Sequence, residues 1–172
     1  VSMRYLVYGL VLLLTLVLQT AGVPGIVFFG FKPQLLLLVS LLAAMILPPV
    51  EAVVFGFCAG LAQDLVVGRF ITLHAGVFVL VALVEGLVIQ RFYGENFIVR
   101  FGSLSLGTAL AQVLYLLAAA SFGLSRSWDL GTWWAILAVS LFNGFLGTPL
   151  YRPLARLNRR LLYYDELLKR TG

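Results

Sequence analysis

The sequence has 172 residues, 62% hydrophobic and only 11% charged, with a net charge of +5 and a mean hydropathy of +1.04. An ordinary soluble domain carries about 25% charged residues, so this composition excludes a water-soluble globule and describes an integral membrane protein. The apolar runs are long and continuous, which fits helices; the strands of a β-barrel would alternate in shorter units.

Residues 5–21 read as a first span, with polar Gln19 and Thr20 near its end. It leads into further spans and lacks a small-residue cleavage site, so it reads as a membrane helix rather than a signal peptide. Gly22-Val23-Pro24-Gly25 breaks it, and 26–31 is apolar enough to lie at the interface or re-enter the bilayer. Pro33 opens a second span at 34–47, short against the roughly 20 residues of a full crossing unless neighbours bury it. Pro48-Pro49 ends it. The third span covers 50–67 and turns at Gly68-Arg69. The fourth, 71–90, has His74 near its start and Glu85 near its end. A polar connection precedes the fifth span at 101–122, and a loop precedes the sixth at 130–150, opened by Trp133-Trp134, a pair suited to a membrane interface.

The expected fold is an all-α integral membrane protein: six transmembrane helices over residues 1–150, or five plus a re-entrant segment, then a cytoplasmic basic amphipathic helix at 151–172. With six spans and an inner N-terminus, Arg4, Arg91, Arg100, Arg152, Arg156, Arg159, Arg160, Lys169 and Arg170 lie inside, against Lys32, Arg69 and Arg126 outside. Nine cations against three favour both termini in the cytoplasm.

In the third span Ala52, Gly56, Gly60, Asp64 and Gly68 recur every four residues and form one stripe on a helix. Small residues let helix backbones approach closely in lipid. The stripe therefore predicts that the third span is the hub of the bundle, or else a docking face for a partner helix. An acid at membrane depth must face protein or water. Asp64 reads as readily as a structural cap as it does as a ligand site, with His74 or Arg69 as its contact. Asp64, His74 and Glu85 are the candidates for a cavity or polar contact, within an inventory that also holds Glu51, Gln63, Gln112 and Asn143. In the tail, Leu150, Leu154, Leu157, Leu161, Tyr164 and Leu168 form an apolar seam. Arg156, Arg159 and Arg160 lie largely off it. With Arg152 they would meet anionic lipid or a cytoplasmic partner.

Catalytic chemistry has little support. No GxSxG, HExxH or paired-Cys motif occurs, and Asp64 and Glu85 are 21 residues apart on different helices. Cys58 is the single cysteine, so neither an intrachain disulfide nor a metal cluster is expected. There is no phosphate loop, no internal duplication of a transporter and no nucleic-acid signature. The residues point to a non-catalytic protein without a cofactor, which binds another protein or a small ligand between its helices.

The run Phe55-Gly56-Phe57-Cys58-Ala59-Gly60-Leu61-Ala62-Gln63-Asp64-Leu65, followed by Gly68 and Thr72-Leu73-His74-Ala75-Gly76, resembles the bacterial rod shape-determining MreD family and its GFxxGLxxD run. Lys32-Pro33-Gln34-Leu35-Leu36-Leu37 resembles the family's entry into the second span, with Gln34 where Asp or Asn is commoner. The resemblance is sharp over residues 33–86. It implies a place in the complex that directs lateral cell-wall synthesis in the bacterial cytoplasmic membrane. The expected partners are MreC and, through it, MreB filaments, RodA and its transpeptidase. At fold level the family is similar to the substrate-binding S-components of energy-coupling-factor vitamin transporters. That likeness implies a central cavity with Asp64 and His74 near its outer mouth, and makes a vitamin-binding S-component the alternative function.

Overall fold

A computed structural model describes residues 3–21, 30, 32–67, 72–92, 96–123 and 128–171. Among these the chain is all helical: α1 (Met3–Ala21), α2 (Leu35–Ile46), α3 (Pro49–Val67), α4 (Leu73–Phe92), α5 (Phe97–Ser121) and α6 (Leu130–Thr171). Gly68, Arg69, Arg126 and the segment 22–29 lie outside the described residues. Helices α1, α3, α5 and α6 are each long and apolar enough to cross a membrane. Helices satisfy their own backbone donors and acceptors, which lipid cannot do. Leu6, Leu10, Leu13 and Val17 of α1 point away from the bundle, an outward apolar face that suits lipid.

The stripe predicts α3 as the hub; the structure puts α2 there instead. Helix α2 touches all five other helices, whereas α3 touches α1, α2 and α4. Nine of the twelve residues of α2 are buried, and Leu38 and Leu42 are fully enclosed. The reason is compositional: a helix that is apolar all round goes to the centre. At 1.5 Å per residue α2 is roughly 18 Å long. It is too short to cross alone, and its neighbours enclose it. The small-residue stripe governs something narrower, the close pairing of α3 with α4. On the opposite flank of α2, α5 packs along α6. An added Cβ at Gly147 would lie 2.6 Å from Leu38 Cδ1 and 2.8 Å from Leu104 Cδ1.

Helix α6 runs unbroken for 42 residues, through Pro149 and Pro153, so no break separates the sixth span from the tail. Its distal half folds against the start of α1. Tyr8 donates a hydrogen bond to Asn158 Oδ1, and Leu161 is buried. Arg4 pairs with Glu51 at 2.8 Å and lies 3.6 Å from Asp165. The bundle thus has an Asp64 end and a basic end, the latter holding Arg4, Arg100 and the distal half of α6.

Candidate functional site

Asp64 sits in the last turn of α3 and is 2% exposed. Its Oδ2 accepts the backbone N–H groups of Thr72 (2.8 Å) and Ala75 (3.3 Å), and its Oδ1 accepts that of His74 (3.0 Å). The first N–H groups of a helix have no partner within it. Asp64 therefore caps α4 from another helix, with its charge against the positive end of the α4 dipole. The same carboxylate holds the turn at Thr72, whose φ of 102° is costly for a β-branched residue. Gly60 makes this approach feasible: a Cβ there would lie 2.7 Å from both Ala75 N and His74 O. At Gly56 it would meet Ser40 Oγ at 3.1 Å and Phe78 O at 3.2 Å. Gly56, Gly60 and Asp64 are all covered by α4.

His74 Nδ1 lies 2.7 Å from Asp64 Oδ1. A carboxylate accepts, so Nδ1 donates and Nε2 of the neutral ring is left as an acceptor. The imidazole stacks on Tyr115, with ring centroids 4.2 Å apart and planes at 23°. Both rings line a cavity of about 280 Å³ whose wall also includes Gln34, Gln63, Gln112 and Ile136. Gln63 accepts a hydrogen bond from Gln19, which in turn accepts the Leu36 N–H at 2.9 Å. The Nε2 of Gln112 is buried without a partner. The cavity offers neutral donors and acceptors and an aromatic wall, a setting for a small uncharged hydrogen-bonding molecule.

Glu85 belongs to a different place. It is 4% exposed and accepts a hydrogen bond from Ser103 of α5. Eleven residues of α4 separate it from His74, roughly 16 Å along the helix. Asp64 and Glu85 are not brought together. Deeper in the bundle, Asn143 Nδ2 lies 3.4 Å from Gln34 O and 3.4 Å from Thr108 Oγ1.

At the basic end a second cavity, about 450 Å³, is lined by Arg100, Tyr151, Arg152, Arg156 and Arg159. Arg160 is exposed and lies outside that lining. The Arg100 guanidinium stands 5.1 Å from the centroid of the Tyr151 ring. Arg100, Tyr115, Ser103 and Tyr151 are among the site residues that sequence analysis did not single out. The one signal for Arg100 is the cation that closes the polar connection at 91–100, which reads as a surface charge until α6 is seen to cover it. Among the described residues no three His, Cys, Asp or Glu side chains gather as a metal site.

A family model described as rod shape-determining protein MreD matches residues 2–159. No curated protein and no solved structure matches the chain.

Proposed function

The chain belongs to the MreD family of rod shape-determining proteins, and on that premise we propose that it is a non-catalytic scaffold of the bacterial cell-wall elongation complex. Membership carries a role in determining rod shape. In the finer reading the protein binds MreC directly and through it joins MreB filaments, RodA and its transpeptidase, supporting lateral peptidoglycan synthesis. It lies in the cytoplasmic membrane with its basic end and both termini inside, where the cations of α6 meet anionic lipid.

The observation that carries this is the family match, which spans nearly the whole bundle, from α1 to Arg159. The geometry supports a binding role over a catalytic one. Asp64 is engaged by the start of α4, and Glu85 by Ser103 on a separate level. The test is capture of the tagged protein from its native membrane in mild detergent, with mass spectrometry of proteins and small molecules. Recovery of MreC is the expected result.

The polar cavity beside His74 favours one second reading, a vitamin-binding S-component. That reading predicts a stoichiometric small molecule and an ATPase module in the same capture. Their recovery without MreC would overturn the scaffold.

A further inference from the structure

The cavity at the basic end differs from every other charged place on the described chain. Arg152, Arg156 and Arg159 recur at spacings of four and three on α6 and face one cavity, with Arg100 of α5 and Met45 and Ile46 of α2 also in its wall. Arg100 is only 5% exposed, and its Nε is buried without a hydrogen-bond partner. Among the described residues no ion pair ties any of these four arginines to an acid. Arg4, at the same end, is placed against both Glu51 and Asp165. Among the described residues, carboxylates reach Arg4 and none reaches this cavity.

A guanidinium taken out of water without an anion is costly. The Tyr151 ring offsets part of that cost through its π face. Arg100 Nε stays buried and unpaired, and the exposed guanidinium groups of Arg152, Arg156 and Arg159 converge on the same cavity, a donor set that suits an anion from outside the chain. Guanidinium forks match phosphate oxygens two at a time. Met45, Ile46 and Ala155 supply an apolar side to the same cavity, where glycerol and the first acyl carbons of a lipid would lie. On the membrane placement proposed above, the cavity lies where the spans end, at headgroup depth.

We propose that this cavity is a headgroup site for a phosphate-bearing anionic membrane lipid, with Arg100 at its base and Arg152, Arg156 and Arg159 around the phosphate. The proposal rests on the membrane placement given above and turns a general lipid contact of α6 into one defined site. Arg160 separates the two ideas: a diffuse basic surface uses it equally, whereas the cavity does not.

The test uses the purified full chain in neutral detergent and native mass spectrometry with added phosphatidylglycerol or phosphatidylcholine. One phosphatidylglycerol per chain is expected to survive detergent exchange, and phosphatidylcholine is not. Arg100→Gln lowers phosphatidylglycerol affinity about tenfold or more, the scale of a lost charge-assisted hydrogen bond. Arg152→Gln combined with Arg159→Gln acts in the same direction, and it keeps the test intact if the buried Arg100 variant does not fold. Arg160→Gln leaves binding unchanged. Equal retention of phosphatidylcholine, or an equal loss in Arg160→Gln, would overturn the site in favour of diffuse adhesion. Displacement of the lipid by millimolar inorganic phosphate would overturn the lipid as ligand and assign the cavity to free phosphate. The measurement uses the protein alone, so its failure is distinct from a failure to recover MreC.

Discussion

At Asp64 one carboxylate does the work of four lost hydrogen-bond partners: three N–H groups of the α4 turn and the His74 ring converge on it. Asp64→Ala leaves those buried donors unpaired and is expected to cost about 2–3 kcal/mol of stability. Asp64→Asn keeps one acceptor oxygen and falls between the two. Unfolding in mixed micelles followed by circular dichroism measures both. If Asp64→Ala unfolds like the parent protein, the cap is not what holds α4. Gly60 is the matching test of close approach. A Cβ there meets the backbone of Ala75 and His74, which cannot yield as a side-chain tip would. Gly60→Leu is expected to yield no monodisperse protein, whereas Gly102→Ala, with open space around the added methyl, folds as well as the parent. A monodisperse Gly60→Leu protein that had lost only its partner would make the stripe a docking face. The four-residue period of Gly56, Gly60 and Asp64 was legible because helical spacing is local. The identity of the covering helix was not, and Tyr115 and Arg100 carry no local pattern, since only tertiary contact distinguishes them.

Helix α2 carries the argument at the scale of elements. Its apolar run was legible as a short span, and its burial by neighbours was one of the alternatives that the length left open. Its central position was not legible from the small residues of α3, which mark a close pairing and not burial on all sides. Small residues set how closely two helices pair; all-round apolarity sets which helix sits in the middle. Leu38 is fully enclosed, so Leu38→Ala is expected to cost roughly 2–5 kcal/mol through lost contacts and a cavity. Leu106, 73% exposed on α5, makes few contacts to lose, and Leu106→Ala is expected to change stability little. Equal losses in the two variants, measured by the same unfolding assay, would remove α2 from the centre. The continuity of α6 is the other case of tertiary structure overriding local signals. Pro149 and Pro153 each remove a backbone donor, and local chemistry marks a stop there. Residues beyond them nonetheless remain helical, with Leu154 and Leu161 turned inward and Asn158 bonded to Tyr8.

For the whole molecule the question is which way the bundle faces. Arg4 near the start of α1 and Asp165 near the end of α6 lie 3.6 Å apart, an arrangement that requires an even number of crossings. That favours counting α2 as a crossing despite its twelve residues: Gln34 before it lines the Asp64-end cavity, and Ile46 at its end lines the basic one. Arg4, Arg100, Arg152, Arg156, Arg159 and Arg160 gather at the basic end, and the cation-bias rule predicts a cytoplasmic side for it. The prediction is a labelling pattern. In a Cys58→Ala background, which removes the exposed native thiol, single cysteines are placed at Lys32, Trp128 and Glu166. A membrane-impermeant maleimide applied to intact spheroplasts is expected to label Lys32→Cys and Trp128→Cys at once, and Glu166→Cys only after permeabilisation. The reverse pattern would invert the bundle and put the arginine cavity in the outer leaflet. Labelling of Glu166→Cys from the opposite side to a cysteine placed at Met3 would break the even count and make α2 a re-entrant helix.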